Sequence, residues 1–542
     1  MKKSILFLAV AAFFYATSYA QAPSWEWARR AGGANGEYAQ SVAVDASGNS
    51  YVTGIFDGPT LTFGSYTLTN TGSADIFLVK YDTQGNVLWA TSASGTGYDA
   101  PRSVAVDASG NAFITGNFYS PTLTFGSYTL TNTGVDLFLA KFDSNGNVAW
   151  AKSAGGPSAE YATSVAVDPF GNPYLTGYAD NSIITFDTIH LLNTGVFIVK
   201  YDFNGNALWA QTAGGGTGTN YDAESIAVDA SGNAYIEGNY DGTMIFGSNT
   251  LSSAGFYDVF LGKYDGNGVV QWARSAGGAN YEYANSNTVD ISGNIYITGY
   301  FMDPFTIIGN DTLACKGVDD IFLAKYDASG NVLWATSAGD TYLEHALSVT
   351  TDVPGNAYMA GYFNDSTFTI GSTTLINASK GHDEIFVAKY DPYGNVVWAK
   401  SASGTDSDDA TSVATDAVGN VYVAGLFISP TLAFDSIVLT NANSSAIYPD
   451  LFLAKLGSLV GIDEISNSLR ISLFPNPATN IITITLPEKA NIEISNINGQ
   501  IMKTINHENH ETSIDIENFP RGVYIVRATT TKETVTKKFI KE

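Results

Sequence analysis

Seven acidic residues recur at one place in a repeating phrase: Glu37, Asp99, Glu160, Asp222, Glu282, Glu344 and Asp408. Six of them stand eight residues ahead of a D-x-x-G-N turn; in the fourth copy Tyr221 holds that place and Asp222 follows it. Gathered into a ring, such carboxylates could collect calcium or a cationic ligand. Unpaired, they would repel one another strongly, so a cation or backbone amides must offset them. In the second case each carboxylate accepts N–H groups of the neighbouring unit.

Other chemistry is sparse. His190, His345 and His382 fall at unrelated places in the repeat and give no metal-ligand spacing. Arg29, Arg30, Arg102 and Arg274 are too few for a sialidase-type arginine cluster. G-x-S-x-G, P-loop and H-E-x-x-H motifs are missing. Acids are plentiful enough for a paired-carboxylate hydrolase, but nothing singles out a pair. No catalytic residue is assigned, and calcium is the one cofactor the pattern allows.

The D-x-x-G-N turns start at Asp45, Asp107, Asp168, Asp229, Asp290, Asp352 and Asp416, with a second set at Asp82, Asp143, Asp202, Asp265, Asp327 and Asp391, in which Val269 replaces the Asn of the fourth. Calcium loops concentrate several carboxylates within a few residues. Here each turn has one, as expected of an Asp that caps its own turn amides.

The elements that position these residues form seven units. Trp27, Trp89, Trp150, Trp209, Trp272, Trp334 and Trp398 mark the period, at spacings of 59 to 64 residues. Each unit holds four short β-branched or aromatic runs bounded by Gly and Asn. In the first these are SVAVD (41–45), SYVTGIF (50–56), DIFLVKYD (75–82) and NVLWATS (86–92). Seven such units predict an all-β, seven-bladed propeller, with an open β-solenoid as competitor. The seventh unit stops at DLFLAKLG (450–457) without a fourth strand, and SWEWARRAGG (24–33) is that missing strand. The complementary ends favour a ring closed by the N-terminal strand, which also removes exposed sheet edges. Between the second and third strands lies a predicted small hairpin, TLTFGSYTLTNTG in the first unit, with Phe63 and Leu68 as its apolar pair.

Residues 1–20 read as a secretory signal peptide: two lysines, an apolar run too short to span a bilayer, and small residues before the cut. Cys315 is the only cysteine, so an exported chain must be stabilised by core packing, by metal or by its architecture rather than by an intramolecular disulfide. A bacterial surface suits that better than an animal secretory route. Of the formal charge of −26, the leader contributes +2 and residues 463–542 contribute −1, which leaves −27 on residues 21–462. Such a body repels nucleic acid and anionic membrane. No transmembrane anchor is expected.

The phrases quoted, and SVAVDASGNAFITG (103–116) among them, resemble the seven-bladed propeller repeats called SBBP, and NHL-type repeats. The resemblance implies the propeller over residues 21–457 and says little about function, since propellers host both enzymes and binders. After a linker (458–468), residues 469–542 form short amphipathic strands expected to make a small Ig-like sandwich. This stretch resembles the type A C-terminal sorting domain of the type IX secretion system. It matches at Phe474, Pro475, Asn476, Pro477, Gly499, Gly522, Tyr524, Lys537 and Lys538. The resemblance implies a Gram-negative host, Sec export, passage through the type IX machinery and removal of this domain. The chain then ends secreted or at the cell surface. The expected function is a binding or adhesion module for an extracellular glycan or protein. The alternatives are a secreted polysaccharide hydrolase or lyase, or a structural surface scaffold.

Overall fold

The structure, a computed structural model, describes residues 22–542 except 133, 180–182, 193–194, 219, 303, 380, 444–446, 458–471, 487–488, 497–499, 508–510 and 531–533. The expected signal peptide and linker lie outside the described residues. The described chain falls into two units, 22–457 and 472–542.

The first unit is a propeller of seven antiparallel four-stranded blades. In blade 1 the strands run from the centre outward as Glu37–Val44, Ser50–Phe56, Asp75–Tyr81 and Val87–Ala93. Five more blades repeat this order. Blade 7 supplies Asp408–Thr415, Val421–Phe427 and Asp450–Leu456, and its outermost strand is Trp25–Ala31 from the other end of the chain. The ring therefore closes inside a blade. It also closes between blades 7 and 1: the Val42 amide donates to Ser412 Oγ at 3.1 Å, and Thr411 Oγ1 donates to the Ala39 carbonyl at 2.9 Å.

The Ser412 bond is one of seven. Ser41, Ser103, Ser164, Ser225, Ser286, Ser348 and Ser412 occupy the same position on their inner strands. Each hydroxyl accepts a backbone N–H of the next blade, at 3.1 to 3.3 Å, until the circle is complete.

The cores lie between blades. One cluster joins Tyr51, Ile76 and Leu78 of blade 1 to Ile114, Phe118 and Phe138 of blade 2. The tryptophans bind blades together from outside. Six indoles donate Nε1–H to a carbonyl in the next blade's second D-x-x-G-N turn, from Trp27 to Thr83 at 3.0 Å to Trp334 to Pro392 at 3.1 Å. Gly85 must be glycine twice over: its φ is +76°, and a Cβ there would lie 2.9 Å from the Trp27 ring. Each turn Asp caps its own loop. Asp45, for instance, accepts the Ser47 and Asn49 amides.

The hairpin of each unit forms as expected, but its pairing differs. Leu61 faces Leu68 and Phe63 faces Tyr66 across the two strands. Phe63 and Leu68 still meet in one buried cluster, because both turn toward the blade beneath.

Residues 472–542 form two sheets. One pairs Ser472–Phe474, Ile481–Thr485 and Glu511–Asp515. The other pairs Ile501–His507, Ala490–Asn496, Gly522–Thr529 and Thr534–Lys541. Ile482, Ile492, Ile514, Val526 and Phe539 lie in their shared core.

Candidate functional site

Inner strands line the central channel, and their pleat decides what faces it. Glu37 and Ala39 are fully buried, while Tyr38 and Gln40 between them are partly exposed. The sequence-predicted acids sit at or beside the first residue of each inner strand. Glu37, Asp99, Glu160, Glu282, Glu344 and Asp408 are each at most 2% exposed and so turn into the blades rather than the channel. Asp222 alone is half-buried.

Backbone amides meet five of these carboxylates. Glu37, Glu160 and Glu344 accept the amides of Gly33, Gly156 and Asp340 in the loop just before them, at 2.9 to 3.3 Å. Asp, one methylene shorter, reaches elsewhere. Asp99 accepts the Tyr119 and Ser120 amides and the Ser120 hydroxyl, and Asp408 does the same with Ile428 and Ser429. Among the described residues no three His, Cys, Asp or Glu side chains converge where a metal could sit.

A second set of acids was missed, although the first letter of the DIFLVKYD phrase carries it. Asp75, Asp136, Asp258, Asp320, Glu384 and Asp450 open the third strands and are buried too. Asp75, Asp258, Asp320 and Asp450 accept amides from the loop after the hairpin. The two sets meet at blade junctions. Burial, with Asp450 adding, pushes Glu37 up to about 8. Burial likewise takes Glu344 to about 9, with Asp365 and Asp320 adding, and Glu384 to about 8 beside Asp408. The sign follows from linkage. The folded state holds protons that the unfolded chain releases above its ordinary 4.5, so these groups favour folding most below that pH and progressively less up to about 9. The melting temperature should therefore fall between pH 5 and 9, and Glu37→Gln and Glu344→Gln should each flatten the slope. A pH series of thermal melts reads this, and a melting temperature that rises over the window contradicts it.

What does face the channel varies from blade to blade. Each inner strand carries a β-bulge, and the extra residue is in turn Gln40, Arg102, Thr163, Glu224, Asn285, Leu347 and Thr411. Seven serines stay identical one residue further on. The frame is uniform, and the surface it presents is not.

At the end of the channel nearer the hairpins, blades 4 to 6 bring seven rings into one row. Phe256 stacks on Tyr281 (5.1 Å between centroids, 10° between planes). Tyr257 lies against Tyr281 and Tyr283, Tyr283 against Tyr300 (5.0 Å), and Tyr300 against His345 (3.8 Å), which touches Tyr362. His345 also sits in a hydrogen-bonded line: Nε2 lies 2.8 Å from Asp319 Oδ2, and Nδ1 lies 2.6 Å from the Tyr362 hydroxyl. The hydroxyls of Tyr257, Tyr281, Tyr283 and Tyr300 have no hydrogen-bond partner among the described residues. Sequence reading missed the row because its members come from separate stretches that only the ring makes adjacent.

In the second unit, Asn476 clamps the last strand: its Oδ1 accepts the Ile540 amide at 2.9 Å and its Nδ2 donates to the Lys538 carbonyl at 3.3 Å. Phe474, Pro475, Pro477 and Lys538 are exposed around it, and Lys537 is half-buried. Gly522 begins the strand in which Tyr524 packs on Phe539 and donates to the Pro520 carbonyl at 2.7 Å. Gly499 lies outside the described residues.

Fold and tail together define an exported surface propeller protein. Residues 472–542 match the family of the secretion system C-terminal sorting domain, and residues 26–54 match the β-propeller repeat family, SBBP. Residues 26–54 thus carry a β-propeller repeat and residues 472–542 a sorting domain, which indicates export by type IX secretion to the cell surface or the extracellular space. An uncharacterized WD repeat-containing protein of Acanthamoeba polyphaga mimivirus is 24% identical over 505 residues, covering 75% of this chain and 36% of that protein. The regulatory protein FlaEY of Caulobacter vibrioides is 32% identical over 111 residues, covering 20% of this chain and 12% of that one. The chain thus spans about a third and an eighth of these relatives' lengths. Among solved structures, PorZ of Porphyromonas gingivalis, a surface component of the type IX secretion system, is 10% identical with a TM-score of 0.15, covering 93% of this chain and 81% of that one. Sqt1 of Chaetomium thermophilum is 10% identical with a TM-score of 0.37, covering 78% and 99%. No helix of the described residues is long and apolar enough to cross a membrane.

Proposed function

We propose that the exported propeller is a glycan-binding module and that the sugar lies along the aromatic row from Phe256 to Tyr362. The row itself carries this reading. Sugars present apolar C–H faces and hydroxyl edges together, and tyrosines offer an apolar body with a polar tip. Few convergent polar groups on an aromatic wall are what small-ligand sites use for orientation. With −27 on residues 21–462, a neutral or basic glycan suits the site better than a polyanionic one. The candidate ring at Glu37, Asp99, Glu160, Asp222, Glu282, Glu344 and Asp408 then serves to hold the loops that shape this end of the channel, without calcium.

A neutral-glycan screen of the full chain, with calcium and with chelator, tests the reading. Binding should survive chelation. Tyr283→Ala should weaken it at least tenfold, and Tyr300→Phe, which keeps the ring, should weaken it less than Tyr300→Ala. Equal binding by all variants removes the row from the site. The Asp319–His345–Tyr362 line is the one arrangement that favours the alternative of a hydrolase or lyase. New reducing ends released during the same screen would establish cleavage.

A further inference from the structure

In the same channel a cavity of about 280 Å³ opens along blades 1 to 4, lined by Gln40, Arg102, Asn117, Thr163 and Glu224, with Tyr161 and Tyr178. Among the seven bulge residues, Arg102 and Glu224 are the only charged ones. Neither forms a hydrogen bond, nor an ion pair within 4 Å, with any described residue. Arg102 stands on blade 2 and Glu224 on blade 4, with Thr163 of blade 3 between them. Opposite charges held in one cavity but kept apart fit a ligand that carries both charges, spaced to span them.

Neighbouring groups sharpen the chemistry. Asn117 Oδ1 accepts the Ala162 amide at 2.8 Å, which leaves Nδ2 as a donor. Glu237 lies near Glu224, fully buried, with neither carboxylate oxygen hydrogen-bonded. The other six blades have Thr53, Thr115, Thr176, Thr298, Ala360 and Ala424 at that place. Burial holds Glu237 well above the usual carboxylate range and, with Asp222 adding, pushes Glu224 up to about 7; a cation beside Glu224 would favour its ionised form, and an anion would not. A guanidinium, in turn, is the side chain suited to bidentate carboxylate binding. The volume is at the small end for ligand sites, which begin near ~300 Å³, so a monomer fits and a polymer does not.

We propose that this cavity binds a small zwitterion of the α-amino-acid type, with its carboxylate on the Arg102 guanidinium and its ammonium on the Glu224 carboxylate. The site shares no lining residue with the aromatic row and does not depend on the glycan reading.

Titration calorimetry of the full chain against the twenty common amino acids tests it. At least one should bind. Its N-acetyl derivative and its methyl ester, each lacking one charge, should bind at least tenfold more weakly. Arg102→Met and Glu224→Gln should each cause a similar loss. Leu347→Ala, across the ring, and Tyr283→Ala, in the aromatic row, should leave the affinity unchanged. The ligand derivatives keep the test decisive even if a variant folds poorly. The proposal is overturned if no amino acid binds at millimolar concentration, or if the derivatives bind as well as their parent.

Discussion

A chain lacking residues 21–33 will melt far below the intact protein and will be cut by protease under conditions where the intact ring resists. The deletion removes the outermost strand of blade 7 and its pairing from Trp25–Leu456 to Ala31–Leu451. Trp25 and Ala28 belong to the cluster between blades 6 and 7, and Trp27 and Ala31 to the cluster between blades 7 and 1, so one strand supports both junctions. Two buried indoles of roughly 200 Å² each, at about 25 cal/mol per Å², account for about 10 kcal/mol. Further losses follow. Asp450, buried, loses its 2.9 Å ion pair with Arg30, and Glu37 loses the Gly33 amide. For a domain this large the melting temperature should fall on the order of 20 °C. A peptide of residues 22–33 added in excess should recover part of that by mass action. Differential scanning calorimetry reads both, and an unchanged melt would mean that the ring does not need its closing strand.

The same strand shows why the fold was legible from the repeat. The two incomplete ends of the array complement each other in one blade, and only a ring gives that a use. Strand limits were also readable where alternation is regular: Ser50–Phe56 matches its expected run residue for residue. The inner strand is the exception. It was expected at 41–45 but begins at Glu37, because the bulge at Gln40 breaks the period of two and makes its first half read as loop. That break also hid which residues face the channel. The acids open the inner strands, as in Glu37–Val44 and Glu160–Val167. Pleat then turns six of them inward and brings Tyr38, Tyr161, Tyr283 and His345, each one residue later, toward the channel. Motif reading favoured residues that repeat. The frame uses those residues for itself, from the serine circle to the indoles, and leaves the non-repeating Arg102, Glu224 and tyrosines as the chemistry.

Removing residues 472–542 should abolish export beyond the periplasm while leaving the propeller folded. The reasons are local to the tail. Its two sheets share a core of their own, so the unit has the means to present an address without the blades. Its family match covers all of it. The matching residues are those that fix the last strand: Asn476 bonds to backbone on both sides of Phe539, at Lys538 and Ile540, and Tyr524 packs on Phe539 itself. Phe474, Pro475 and Pro477 are exposed around Asn476. In a type IX host, the truncated chain should be lost from the surface and medium and accumulate in the periplasm, as fractionation and immunoblotting would show. A passenger carrying residues 469–542 behind a signal peptide should travel the opposite way, to the outside. Asn476→Ala should reduce its delivery by loosening the last strand, a change that a melt of the passenger fusion would register independently. A passenger that stayed periplasmic with its tail folded would separate the fold of this domain from its role as an address.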